Sequence, residues 1–348
     1  MRRPAMAARF SLSPAMRLSR FLPNGFTLAL LCAMLLASLL PVHGTGATVF
    51  GWITNLAIAL LFFLHGARLS RQTVLAGAAH WRLHLAVFSM TFVLFPVAGV
   101  AFKPLLEPLV TPSLYAGVLF LCFLPSTVQS AIAFTSMARG NVPAAVCSAS
   151  ASSLLGIFLT PLLAGLVLTS AGNAPVSFDA ALKIVVQLLL PFALGQVLQP
   201  LVGAWALRRK KLLALVDQGS ILMVVYTAFS AAVNQGLWTH TPVPALLALA
   251  AICTGLFVLA VAAVLAAGRY AGFGHADRMT LLFCGSNKSL ATGIPIAQML
   301  FTSHAVGAIV LPLMMYHQIQ LFVCALLAQH YGNRSGDASP APAPGTPA

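Results

Sequence analysis

The chain alternates long apolar runs with short polar connections. Ten runs come close to the length of about 20 residues that a membrane-spanning helix needs. They cover residues 26–42, 50–69, 83–102, 114–138 and 142–168, then 180–207, 218–236, 244–267, 279–301 and 305–328. The pattern predicts an all-α integral membrane protein with ten transmembrane helices. The run at 26–42 follows Arg2, Arg3, Arg9, Arg17 and Arg20 as a signal peptide would. It is long enough to span, and no small-x-small cleavage site follows it, so it reads as the first helix. Residues 332–348 are rich in Pro, Ala, Gly and Ser without an apolar period and read as a disordered tail.

The basic residues orient the spans. Arg68, Arg71 and Arg82 flank the connection after span two, Arg139 that after span four, and Arg208, Arg209, Lys210 and Lys211 that after span six. Arg269 and Arg278 follow span eight, and Arg334 follows span ten. The segments after spans one, five, seven and nine carry no Lys or Arg; the one after span three has only Lys103. Basic connections stay in the cytosol, so both termini are expected there, with 1–23 as a basic cytosolic segment and the chain in the plasma membrane, the inner membrane if bacterial. Dropping one span would invert the parity and destroy the agreement.

Composition agrees. The 348 residues are 59% hydrophobic and 7% charged, against roughly 25% charged in a soluble domain; lipid is the expected partner over most of the surface. The net charge of +14 lies mostly in the short connections, which topology explains without nucleic acid. Six cysteines fall inside apolar runs with no CxxC pair, which suits small buried side chains and not a disulfide framework or zinc site.

Folding the chain at about Asn173 gives two five-span halves, 24–170 and 178–331, within one ten-helix unit, 24–331. In each half the fourth span is interrupted: by Pro125-Ser126-Thr127-Val128-Gln129-Ser130 in span four and by Gly285-Ser286-Asn287-Lys288-Ser289 in span nine. Because five is odd, the second half is inverted. Inverted repeats with paired broken helices mark secondary transporters. Lipid cannot satisfy the backbone freed by a mid-membrane break, so that backbone must face protein or a water-filled cavity. N-terminal half-helix ends attract anions, and C-terminal ends and carbonyls attract cations.

Several side chains join the breaks as candidates for binding substrate or ion. Ser126, Thr127, Gln129 and Ser130 come from span four, and Ser286, Asn287, Lys288 and Ser289 from span nine. Lys288 lies mid-run, where an ionisable group costs at least ~2.5–3.5 kcal/mol; it is read as a fixed positive charge for an anion. The acidic residues Glu107, Asp179, Asp217, Asp277 and Asp337 fall in loops or at span ends, leaving Lys288 without a counter-ion. Ser150 and Ser153 share a face of span five by i,i+3 spacing, and His317 sits mid-run in span ten beside Tyr316, Gln318 and Gln320.

The stretches Ser126-Thr127-Val128-Gln129-Ser130, Ala138-Arg139-Gly140-Asn141, Cys284-Gly285-Ser286-Asn287-Lys288-Ser289-Leu290-Ala291 and Tyr316-His317 resemble the bile acid:sodium symporter family. The resemblance runs from about Asn24 to Tyr331 and is strongest to the branch with a vertebrate "member seven" type. It implies a panel domain of spans one, two, six and seven. Spans three to five and eight to ten would form a core in which the broken helices cross. It also implies sodium sites around the breaks and span five, admitting sodium as coupling ion at Gln129, Ser130, Ser153 and Asn287. Coupled members carry an acidic residue just before the span-nine break; this chain has Phe283 and Cys284 there and Lys288 within the break.

The expected function is secondary active transport of a small organic anion by alternating access. The rivals are a membrane-embedded regulator without a transported substrate and a passive channel. No catalytic set or metal constellation lies at one depth, so neither an enzyme nor a cofactor is expected, and no oligomer signature appears.

Overall fold

The computed structural model describes residues 25–68, 80–170, 178–234, 236–301 and 303–334. Every regular element among them is helical. The basic segment 1–23 and residues 335–348 lie outside the described residues; the last helix reaches Arg334, slightly beyond the end expected from the apolar pattern.

In chain order the helices are α1 (Gly25–Leu39), α2 (Gly44–Arg68), α3 (Trp81–Ala101), α4 (Pro112–Phe123), α5 (Gln129–Met137) and α6 (Val142–Ser170). Then come α7 (Phe178–Val197), α8 (Gln199–Arg208), α9 (Lys210–Asn234), α10 (Val243–Tyr270), α11 (His275–Ser286), α12 (Leu290–Leu300) and α13 (Ser303–Arg334). Six of these helices are long and apolar enough to cross a membrane; α1, α4 and α7 contain shorter apolar stretches. Large apolar side chains such as Trp52, Leu56, Leu201 and Leu247 face outward, as they do when lipid is the solvent.

Local chemistry sets the departures from simple runs. The run 180–207 is two helices, because Pro200 has no N–H to give the Gln196 carbonyl in a continuous helix, and the chain restarts with Pro near the first position of α8. In α3 the turn Met90–Leu94 is a π-helix just before Pro96. The Phe95 N–H bonds Met90 O there, and the next residue, Pro96, has no N–H. The Thr91 carbonyl is thereby left without a helical partner.

α2 packs along α7 and α9, and α9 also packs on α1. The α2–α7 seam is close: a Cβ on Gly66 would stand 2.1 Å from Phe192 O, and one on Gly195 2.0 Å from Phe63 O. Small residues let membrane helices approach in this way. α8 packs on α2, and the other helices pack around α13, α6 and α11, with α13 lying on α4, α10 and α12. The buried apolar side chains of both sets are mostly continuous in one core.

Candidate functional site

The chain leaves helix twice inside this core, at 124–128 and 287–289. Backbone groups buried there need partners, and most can be traced. At the first break Phe123 O accepts from Thr160 Oγ1 (2.9 Å), Pro125 O from the Ser289 N–H (2.9 Å) and Ser126 O from Ser153 Oγ (3.4 Å), while the Ser126 N–H donates to Ser152 Oγ (3.0 Å). The serines of α6 thus bind the break itself, and the Pro125–Ser289 bond joins the two breaks directly.

The second break is held by α13. Tyr316 OH donates to Ser286 O (2.7 Å). One turn on, the Gln320 amide reads both sides of one peptide: its Oε1 accepts from the Lys288 N–H (2.8 Å) and its Nε2 donates to Lys288 O (3.0 Å) and to His317 Nδ1 (2.9 Å). Another turn on, Cys324 Sγ donates to Asn287 Oδ1 (3.1 Å). The spacing 316, 320, 324 places all three on one helix face.

A cavity of about 460 Å3 opens beside the breaks. Its wall contains the first residues of two half-helices: Gln129 and Ser130 of α5, Leu290 and Ala291 of α12. No side chain caps α5, whereas Ser289 Oγ accepts from the Thr292 N–H (3.2 Å) at α12. Opposite them stand His65 of α2 and Asp217 of α9. A second cavity of about 200 Å3 shares Leu61, His65, Gln129, Ser153 and Thr292 with the first and is otherwise mostly apolar, with Phe62, Leu154, Ile157 and Phe192; Arg68 also reaches it. Together they form a polar chamber with an apolar extension.

Asp217 is the residue that the apolar pattern missed. Placed at the edge of a run by sequence, it lies within α9 and is 2% exposed. Arg68 donates to both of its oxygens, at 2.5 and 3.3 Å, and Gln129 Nε2 donates to Oδ2 at 3.0 Å. Asp217 lies toward the end of its span, as expected, but it is not solvated: it is buried because a guanidinium and an amide from distant helices converge on it. The usable signal was an acidic residue two turns into an apolar helix.

Of the sequence candidates, Thr127, Gln129, Ser130, Ser153, Ser289 and His317 line the larger cavity, and Ser150 lines the smaller. Ser126, Ser286 and Asn287 are fully buried off the wall. Of the four residues named for sodium, Gln129, Ser130 and Ser153 meet at the cavity and Asn287 does not. Among the described residues no group of three His, Cys, Asp or Glu side chains converges on a metal position. Lys288 also lies off the wall: it is fully buried, with its ammonium on main-chain carbonyls. It does not face the cavity as a charge for an anion held there.

The SBF-like CPA transporter family model matches residues 24–333. A protein of Pseudomonas aeruginosa is 60% identical over 322 residues, 92% of this chain and 97% of that protein. The Escherichia coli K12 protein named "Putative symporter YfeH" is 54% identical over 316 residues, 91% of this chain and 95% of that one. The mouse "Sodium/bile acid cotransporter 7" is 27% identical over 278 residues, 79% and 82% of the two chains. The chain belongs to the SBF-like CPA transporter family and is an integral membrane transporter of the bile acid:sodium symporter kind.

Proposed function

We propose, with that membership as premise, that the chain is a secondary active transporter that carries a small organic anion by alternating access. The observation that carries the reading is the cavity at the two broken helices, walled by two half-helix N-termini and His65, with Arg68 lining the smaller cavity that adjoins it. Helix N-termini favour anions, and the apolar extension past Phe62, Ile157 and Phe192 suits an amphipathic one.

The helix packing supports a panel of α1, α2, α7–α8 and α9 moving against the remaining helices, with α4–α5 and α11–α12 as the broken spans of two inverted five-span repeats. With basic connections in the cytosol, the wall residues Gly25 and Asp217, which lie toward the cytosolic ends of α1 and α9, support a cavity mouth on that side. On the other side Gln298 Nε2 donates to Val224 O (3.3 Å), and Ile58, Val224, Leu290 and Ile294 are buried between. The reading is of an inward-open state with both termini cytosolic.

The names of the mouse and bacterial relatives make sodium-driven symport of a bile acid the first variant to test. The assay is uptake and counterflow in proteoliposomes, using a bile acid and a panel of other organic anions, with sodium replaced by choline in parallel. Saturable counterflow is expected. Flux without saturation would identify a channel, and no exchange of any anion a regulator. Reporter fusions after Arg20 and Tyr331 should both report cytosol; an external signal from either would refute the orientation.

A further inference from the structure

Lys288 sits in surroundings that neither transport of an anion nor the family assignment accounts for. Its Nζ donates to Leu124 O (2.8 Å), Thr91 O (3.0 Å) and Cys122 O (3.1 Å) and stands 4.0 Å from the centre of the Phe95 ring. Each carbonyl is available for a definite reason. Thr91 O is released by the π-turn before Pro96. Cys122 O belongs to the last turn of α4; the amide that would continue the helix onto it, that of Ser126, is turned to Ser152. Leu124 O lies in the break itself. Three oxygens from the end of one half-helix and the bulge of a neighbour thus converge on one point, at the negative end of the α4 dipole and against the face of an aromatic ring, which attracts cations.

This is the surrounding of a bound cation. An ammonium has three N–H donors and no acceptor, and three acceptors meet it. A neutral amine would leave one carbonyl facing a lone pair. Arginine, with five donors in a planar fork, does not match a compact three-oxygen seat. Among the described residues Lys288 forms no salt bridge, so carbonyl dipoles and the ring carry the compensation.

We infer that the crossing of the two broken helices contains a cation seat built from the carbonyls of Thr91, Cys122 and Leu124. The chain fills it permanently with the Lys288 ammonium, so the crossing is held by a tethered cation and not by a dissociable metal ion. Lys288 is a positioning residue: with the Pro125–Ser289 bond it fixes one broken helix on the other, and so fixes the two half-helix N-termini at the cavity. The seat stands on its own geometry, whatever the cavity carries.

The test uses the full-length protein purified in detergent and needs no transported substrate. Lys288→Ala opens a slot that n-propylammonium fits. The variant should melt below wild type and regain thermal stability with n-propylammonium but not with tetramethylammonium, which has no N–H. Equal responses of Lys288→Ala to the two organic cations would overturn the seat. If Lys288→Ala does not fold, reductive methylation of native wild type decides. Lys288 should stay unmodified when exposed Lys211 is fully modified, and modification of both at one pace would overturn it. Loss of transport with the seat intact would count against the transport reading alone.

Discussion

Replacing Gln320 by leucine probes how the second break is held. The leucine keeps much of the volume and removes both amide atoms, leaving the N–H and the C=O of Lys288 without their partners at 2.8 and 3.0 Å and taking the donor from Nδ1 of His317, a side chain that reaches the cavity. A buried group left unsatisfied costs about 1–3 kcal/mol, so two such groups cost about 2–6 kcal/mol. Hydrogen bonds in membrane proteins average nearer 0.6 kcal/mol, because the unfolded reference in lipid also finds partners, which sets a floor of about 1 kcal/mol for the pair. A Tm lowered by at least about 1.5 °C is expected for the purified protein. Amide exchange at 287–289 should accelerate. Gln318→Leu is the control: its neighbouring amide nitrogen is buried without a partner, so its loss should cost little or stabilise. A Gln320→Leu protein that melts within about 1 °C of wild type, with exchange at 287–289 unchanged, would refute the claim that Gln320 supplies the missing bonds of the break.

Cysteines introduced one at a time at 129 and 287, with the native cysteines removed, should differ. Gln129→Cys lines both cavities and should react with a small polar thiol reagent, while Asn287→Cys should stay protected; equal labelling would contradict the buried position of Asn287. Asp217→Asn strips the carboxylate from Arg68 and Gln129. Destabilisation is expected below the ~3–5 kcal/mol of a fully buried pair, because the Arg68 side chain is 26% exposed. Adding Arg68→Gln should recover part of it, and additive losses in the double-mutant cycle would mean that the two side chains do not interact energetically.

The sequence by itself determined that the chain is helical, that its solvent is lipid and that two of its runs are interrupted at the strings beginning with Pro125 and Gly285. Long apolar runs with few charges can satisfy their backbone in lipid only as helices, and Pro125 and the polar string at 285–289 interrupt such runs visibly. Which carbonyls each break exposes, and what answers them, only the tertiary structure decided. The partner of Lys288 O is 32 positions away, and the carbonyls on its ammonium are 164, 166 and 197 positions away. Lys288 was legible as a costly charge at mid-run, but its direction was not, since facing water and facing carbonyls both meet the same cost. Asp217 was hidden for the complementary reason. At the edge of an apolar run it reads as solvated, and only the tertiary arrangement of α2 and α5 about α9 brings Arg68, 149 positions away, and Gln129, 88 away, onto its oxygens. Hydropathy records what each segment tolerates as solvent. Pairing between distant polar groups follows from close packing, which brings together side chains that no local period relates.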